Sequence, residues 1–309
     1  MSITFQELHP SDQIAGWMNQ PFQGFCLDSR YVQAGQIFIA LNSLSQPEKT
    51  VQFAQAALDK GAVAIISETE LGLSPSLVVP DVRHLMGTWQ KQYLQAVSPT
   101  AALQILAVTG TNGKTTISRL VAELLMLQGQ PCAVMGTTGN GILPHLESSS
   151  HTTLDALQLQ NALHGYAKQG AKFASIEASS HGLEQGRLTG CAIEIAAYSN
   201  LSRDHLDYHG TLEAYAEAKA RLFQFTSLKV VVINLDDEYA PIMLAAAQAN
   251  PAKPQILTYS MTQAADYQVQ DIEYSLSGAH FSLMTTLGFL MVRRPPRCTL
   301  FPDTSLASS

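Results

Sequence analysis

Long apolar runs are missing from this 309-residue chain: none reaches the ~18 residues that would span a bilayer. The opening stretch, MSITFQELHPSD, has neither a basic start nor an apolar core, so no secretory leader is expected and the cytoplasm is the expected location. Basic runs are missing as well. Lys and Arg total 18 against 25 Asp and Glu, for a net charge of −7, which argues against a nucleic-acid footprint. Anionic ligands must therefore be met by local donors and metal ions. Cysteine is scarce, and Cys26, Cys132, Cys191 and Cys298 form no C-x-x-C pair; they read as reduced thiols, mostly buried. No internal repeat is evident. What remains is a globular composition, 46% hydrophobic and 14% charged, in a chain long enough for two domains.

The pattern is α/β throughout. Residues 1–98 carry a small α/β domain: GQIFIAL (35–41) and AVAIIS are strand-like, and VQFAQAALDKG is helical with Val51, Ala54 and Leu58 on one face. The polar VSPTAA around Pro99 reads as a linker. Residues 99–290 alternate strands with helices, which means right-handed crossovers and a central, mostly parallel sheet flanked by helices. QILAVTG, PCAVMG, KFASIEAS, CAIEIAAYS and KVVVIN are its strands, with a loop expected from PCAVMG to Leu154. One helix shows Ile117, Leu120, Val121 and Leu124 at helical spacing, and another shows Leu159, Ala162, Leu163 and Tyr166. Ligands bind at the carboxyl ends of such strands, and the polar clusters described below fall there. Beyond Leu290 periodicity stops; residues 291–309 are expected to be a non-native or disordered tail.

The most informative stretch is ILAVTGTNGKTTISRLVAELL, Ile105 to Leu125. It departs from G-x-x-x-x-G-K-[ST] because Val108 stands in place of the first glycine. It keeps the working parts. Gly110 and Gly113 let the backbone N–H groups of a loop also containing Thr111 and Asn112 turn toward an anion. Lys114 supplies a point charge for the β/γ-phosphates, Thr115 a hydroxyl for Mg²⁺, and the helix entered through Thr116 adds its dipole. The strand before and the helix after meet the structural condition of the motif, so this is a nucleotide site. The competing view is a structural turn with an exposed lysine.

TGTNGKTT also resembles the phosphate loop of the Mur ligases and their folate-polyglutamating relatives. Further matches follow in order: LDSR (27–30), VMGTTGNG (134–141), HTT (151–153), EASSHGLEQGR (177–187), NLSRDHLDYHG (200–210), EAK (217–219) and NLDDE (234–238). Together they resemble the Mur ligase branch that adds the third amino acid to UDP-MurNAc-L-Ala-D-Glu, over residues from about 25 to about 285. The resemblance implies an ATP-dependent carbon–nitrogen ligase of peptidoglycan synthesis. ATP phosphorylates the D-Glu carboxylate, and an incoming amine attacks the acyl phosphate. Two anions must then be brought together, against ~4 kcal/mol of repulsion at ~4 Å and an effective dielectric near 20. Metal ions and Lys114 are expected to cancel it.

The resemblance assigns Glu177 to Mg²⁺ with Thr115, and His205 to a second metal position. A capping Glu and a structural His are the bland alternatives, and Asp204 and Asp207 have ordinary capping work open to them. Lys219 falls on the inward face of its helix, with Tyr215, Ala216, Leu222 and Phe223. It is either a snorkelling lysine or, as in the family, one carbamylated by CO₂ into an anionic metal ligand. For the UDP-linked substrate, the resemblance points to Leu27 and Ser29 at the uridine end, with the loop Leu44 to Gln46 nearby. Thr152, Thr153, Ser179, Gln185 and Arg187 are placed around the pyrophosphate and muramoyl peptide; Thr152 has a helix cap as its alternative. Asn234 and Asp237 fall near adenine and ribose. Family members carry a third, C-terminal Rossmann-like domain that binds the amino acid, and this chain ends where it should start, so the chain is expected to bind ligands without ligating. The amino acid is meso-diaminopimelate or L-lysine, the former being commoner. A monomer is expected, without membrane or nucleic-acid partners. Two rivals stay open: a sister Mur or folylpolyglutamate-type ligase, and a phosphate-loop binding module without ligase chemistry.

Overall fold

The structure, a computed structural model, describes residues 3–10, 15–42, 47–149, 151–275 and 278–294. In the N-terminal unit, α1 (Phe5–Leu8) and a 3-10 turn precede four parallel strands. These are β1 (Phe25–Cys26), β2 (Ile37–Ala40), β3 (Ala64–Ser67) and β4 (Ser76–Val78), side by side in chain order. Helix α2 (Pro47–Asp59) joins β2 to β3, and α3 (Val82–Val97) follows β4. Strands β2 and β3 are buried along their whole length, as apolar runs in a parallel sheet must be. Helix α2 meets the sheet through Ala54 and Ala57, both fully buried, whereas Val51 is 38% exposed. Of the expected stripe, Ala54 and Leu58 pack on the core and only Val51 falls outside it, with Ala57 taking the inner place.

The second unit runs β5 (Gln104–Thr109), α4 (Lys114–Leu127), β6 (Cys132–Gly136), β7 (Gly139–Ile142), α5 (Ala156–Lys168), β8 (Phe173–Glu177), α6 (Ser180–Glu184) and β9 (Ile193–Tyr198). It continues through α7 (Leu206–His209), α8 (Leu212–Ala220), β10 (Val230–Asn234), α9 (Ala240–Ala249) and β11 (Gln255–Ser260). A meander of β12 (Tyr267–Ser275), β13 (Gly278–Thr285) and β14 (Gly288–Arg294) closes the edge. Among the described residues the sheet order is β14-β13-β12-β11-β10-β9-β5-β8-β6-β7. Strand β5 lies between β8 and β9, parallel to both. The chain winds away from β5 on one side and returns on the other, so a crevice opens above its carboxyl end.

One face of this sheet holds the main core, including Ile105, Ala107, Ile176, Ala196, Ile233 and, from the helices, Leu159, Leu163, Tyr215 and Phe223. Helix α5 buries the stripe its spacing predicts. Helix α4 does not: its buried residues are Ser118, Ala122 and Glu123, while Leu124 is 57% exposed. The apolar spacing at 117–124 identified a helix correctly and its packed face wrongly, since small side chains sit closest to the sheet.

Two further expectations need correction. The segment between PCAVMG and Leu154 is not all loop, because β7 turns back antiparallel on β6, with Met135 opposite Asn140. Pairing also continues past Leu290: Met291, Val292, Arg293 and Arg294 oppose Ser282, Phe281, His280 and Ala279. The rest of the expected tail, 295–309 with Cys298, lies outside the described residues, as does the loop Leu44 to Gln46. No described helix is long and apolar enough to cross a membrane.

Candidate functional site

The loop after β5 is built by contacts from the segment after β9. Gly110 (φ 144°) packs so tightly on Ser199 that a side chain there would collide with its hydroxyl. Ser199 Oγ donates to Asn112 O at 2.6 Å, Thr111 N to Asn200 O at 2.7 Å, and Asn112 N to Asn200 Oδ1 at 3.1 Å. Gly113, in the left-handed region at φ 86°, is the N-cap of α4. The loop is thereby fixed before any ligand arrives, with the first amides of α4, Lys114 through Thr116, at an anion-attracting terminus.

Lys114 Nζ folds back to donate to Gly110 O at 2.8 Å and Thr111 O at 2.9 Å. Burial lowers its pKa, against the opposing pull of Glu177 and Asp204. Glu177, 1% exposed at the end of β8, is the other pole. Its Oε2 accepts from Thr115 Oγ1 at 2.9 Å and Thr137 Oγ1 at 3.2 Å, and its Oε1 accepts from Thr137 N at 2.9 Å. Thr137 Oγ1 also lies 3.0 Å from Thr152 Oγ1. Thr152 is therefore no helix cap; Asp155 caps α5, accepting from Leu157 N and Gln158 N. Thr137 was missed as a site residue, although VMGTTGNG contains it.

Lys219 is 1% exposed, and its Nζ donates to Gly110 O at 2.9 Å. A snorkelling lysine is excluded, because the ammonium ends in the core side of the phosphate loop. Its Nζ lies 4.2 Å from the centroid of the Tyr215 ring. Burial, and next the charge of Lys114, push its pKa down to about 7. His205 (φ 51°) approaches from the start of α7, its ring 6.2 Å from Tyr215 and 5.0 Å from His181, with Nε2 3.5 Å from Asp204 Oδ2. Tyr215 is thus the hub between Lys219 and His205.

The remaining substrate candidates form a second, connected set. Thr153 Oγ1 donates to Glu177 O at 2.8 Å and lies 3.0 Å from Ser179 Oγ. Arg187 donates to Thr153 O at 2.8 Å, and through Nε and Nη2 to Gln185 Oε1 at 3.0 and 2.7 Å. Burial lowers the Arg187 pKa. Leu27 packs half-buried on the N-terminal core, and Ser29 is buried with its carbonyl accepting from Lys60 Nζ at 3.0 Å. Asn234 and Asp237 bond to the end of β9 and the segment after it. Asn234 Nδ2 donates to Ser199 O at 2.8 Å, while Asp237 accepts from Tyr198 OH, Tyr239 N and Leu201 N at 2.6, 3.0 and 2.8 Å. Both side chains pin the end of β9, and Asp237 borders a cleft with Leu201, Ser202 and Tyr239 that adjoins the phosphate loop, since Ser202 N donates to Thr111 Oγ1 at 3.0 Å.

The donor set suits Mg²⁺. No group of three or more His, Cys, Asp and Glu gathers among the described residues, so a cage of protein ligands is not what is built. The Thr115 hydroxyl and the Glu177 carboxylate, 2.9 Å apart beside the phosphate loop, are oxygen donors that would hold Mg²⁺.

A family model described as the Mur ligase middle domain matches residues 108–293. The UDP-N-acetylmuramoyl-L-alanyl-D-glutamate–2,6-diaminopimelate ligase (the MurE activity) of Chromobacterium violaceum is 38% identical over 273 residues, 86% of this chain and 54% of that protein. The ligase of the same name from Pseudomonas aeruginosa is 38% identical over 278 residues, 87% and 55%. A solved structure bearing that name is 68% identical, with a TM-score of 0.92 over 96% of this chain and 60% of the other. MurF from Acinetobacter baumannii, 20% identical, shares the fold, with a TM-score of 0.58 over 94% of this chain and 59% of its own. The chain spans about half the length of the curated relatives it matches. Because the middle-domain match opens at the strand carrying the phosphate loop and runs on to the β12–β14 meander, the chain belongs to the Mur ligase family.

Proposed function

We propose that this chain supplies the ATP site and the UDP-substrate site of a carbon–nitrogen ligase that joins meso-diaminopimelate to UDP-MurNAc-L-Ala-D-Glu. The relatives' names support the substrates, and one observation carries the chemistry: Thr115, Glu177, Lys114 and Lys219 converge on the loop after β5, at the switch between β8 and β9.

In this reading the amides of residues 110–116 and Lys114 hold the β/γ-phosphates. The ammonium must leave Gly110 O and Thr111 O to do so. Thr115 and Glu177 would hold Mg²⁺, which would offset the repulsion between γ-phosphate and the D-Glu carboxylate. The carboxylate oxygen attacks γ-phosphorus as the bond to the bridging oxygen of ADP breaks. The amine of the incoming amino acid then attacks the acyl carbon, loses a proton, and phosphate departs. Thr152, Thr153, Ser179, Gln185 and Arg187 orient the diphosphate and peptide through directed hydrogen bonds, and Leu27 and Ser29 receive the uridine end. Asn234 and Asp237 are assigned to the adenine and ribose, at the end of β9 and the cleft beside the loop. The N-terminal unit is assigned to residues 1–98 and the ATP-binding unit to 99–290, extended by the meander strand. The reaction is placed in the cytoplasm, where ATP is supplied, with the chain acting as a monomer.

Lys219 is assigned as a carbamate, ligating a second Mg²⁺ together with His205. A buried ammonium with a second ammonium beside it, and no carboxylate bonded to it among the described residues, is a poor resident of this site. Its conversion to an anion removes that conflict.

Binding separates this reading from a bare nucleotide module. The ligase reading requires that the chain bind both Mg²⁺-ATP and UDP-MurNAc-L-Ala-D-Glu. Uptake of ATP with no uptake of the UDP-dipeptide at millimolar concentration would favour the module.

A further inference from the structure

Two guanidinium groups, one from each unit, line a single cavity. It measures about 240 Å³ and is bounded by Leu41, Arg83 and Met86 on one side and by Asp155, Gln185 and Arg187 on the other. No motif marks Arg83, which lies in the first turn of α3.

Arg83 is held but not saturated. Its Nε donates to Glu68 Oε1 at 2.6 Å and its Nη2 to Asn42 O at 3.0 Å, while Nη1 makes no hydrogen bond among the described residues. Arg187 faces it across the cavity, fixed by Thr153 O and Gln185. Burial lowers the Arg187 pKa against the opposing pull of Asp155, and the charge of Arg83 adds a smaller push in the same direction as burial. Asp155 is the carboxylate on the wall, and its Oδ1 is committed to the cap of α5. Two guanidinium groups and His151 share the wall with one carboxylate, a balance of donors that suits an anion.

The distance between the two arginines is set by the junction itself. One turn after Arg83, Gly87 meets Thr189 so closely that any side chain would collide with the carbonyl of Thr189, and Gly190 meets Gly87 O in the same way. Gln90 Nε2, a further turn along, donates to Asn161 Oδ1 at 2.6 Å. Helix α3 is locked onto the second unit, and Arg83 arrives with it.

We propose that Arg83 is a substrate-binding residue, forming with Arg187 a two-sided clamp across the junction for an anionic group of the UDP-linked substrate, its diphosphate or a peptide carboxylate. The inference rests on the UDP-substrate reading above. Its chemistry is that of two guanidiniums offering N–H donors from opposite sides to one set of oxygens.

The test titrates UDP and UDP-MurNAc-L-Ala-D-Glu into the 309-residue chain, Arg83→Gln and Glu68→Gln, with Mg²⁺-ATP binding as the folding control. Both variants break the same ion pair, but only the first removes the guanidinium. Arg83→Gln is expected to weaken binding about ten-fold or more, and Glu68→Gln to stay within about two-fold of wild type. Loss for UDP itself identifies the diphosphate; loss confined to the dipeptide ligand identifies a carboxylate. Unchanged affinity of Arg83→Gln for both ligands overturns the clamp. Equal losses in the two variants also overturn it, since the ion pair would then be merely structural. Wild-type protein that binds ATP but neither UDP ligand would instead overturn the substrate reading on which the clamp depends.

Discussion

Lys114 and Lys219 donate to the same oxygen: Gly110 O accepts from their Nζ atoms at 2.8 and 2.9 Å. Two ammonium groups on one carbonyl cannot both be comfortable, and the buried one yields. Lys219, with its pKa near 7, presents a largely neutral amine at pH 8, where an ordinary lysine near 10.4 is under ~1% neutral. Its lone pair can add to CO₂, forming a C–N bond and releasing one proton to give the carbamate. In ¹³C-bicarbonate at pH 8, a carbamate carbon resonance is expected from the wild-type chain and not from Lys219→Met. A spectrum without that signal in the wild type would remove the carbamate from the account.

The same lysine gives stability a pH slope of known sign. In the unfolded chain its amine holds a proton up to ~10.4, and in the folded chain only to about 7. The unfolded state binds more protons between those values, so stability is lost as pH falls through that window and gained as it rises, by up to about 1.4 kcal/mol per pH unit. In CO₂-free buffer, raising pH from 7.5 to 9 should stabilise the wild type relative to Lys219→Met. Parallel thermal midpoints for the two proteins across this range would contradict it.

The junction glycine predicts an inverted sign. Replacing a helical Gly by Ala ordinarily stabilises by about 1 kcal/mol. At Gly165 in α5, where nothing lies within 4 Å of an added Cβ, that gain is expected. At Gly87 in α3 the added carbon strikes the Thr189 carbonyl, and a net loss of about 1–3 kcal/mol is expected instead. Urea unfolding of the two variants measures both.

Burial pushes the thiols of Cys132 and Cys191 up to about 12, so at pH 8 roughly one molecule in ten thousand carries either thiolate. Peptide-resolved alkylation should leave both unmodified in native protein and label both in urea. Rapid native labelling would show that β6 opens at Cys132, or that the segment leading into β9 opens at Cys191.

Much of this was legible in the sequence because it is local. The phosphate loop, its strand and its helix occupy one continuous stretch, and Lys219 betrayed its inward face by falling among Tyr215, Ala216, Leu222 and Phe223. Packing depth was not legible where small residues off the apolar stripes make the contact: Ser118 and Ala122 bury α4, and Ala57 joins Ala54 in burying α2. Arg83 left no trace at all. Its neighbourhood is made by chain segments about a hundred residues apart, brought together through Gly87 and Gly190, and no spacing rule connects them. Asn234 and Asp237 are assigned to the nucleotide by the resemblance alone, and no spacing rule foretells that their side chains also tie the end of β9.

The central claim is that Lys114, Thr115 and Glu177 form one Mg²⁺-dependent ATP site. Isothermal titration of ATP into the chain, with Mg²⁺ and with EDTA, tests it most directly. One site per chain is expected with Mg²⁺, weakened at least about ten-fold by EDTA, by Lys114→Ala and by Glu177→Ala. Equal ATP affinity in EDTA and Mg²⁺, or wild-type affinity in Glu177→Ala, would contradict it.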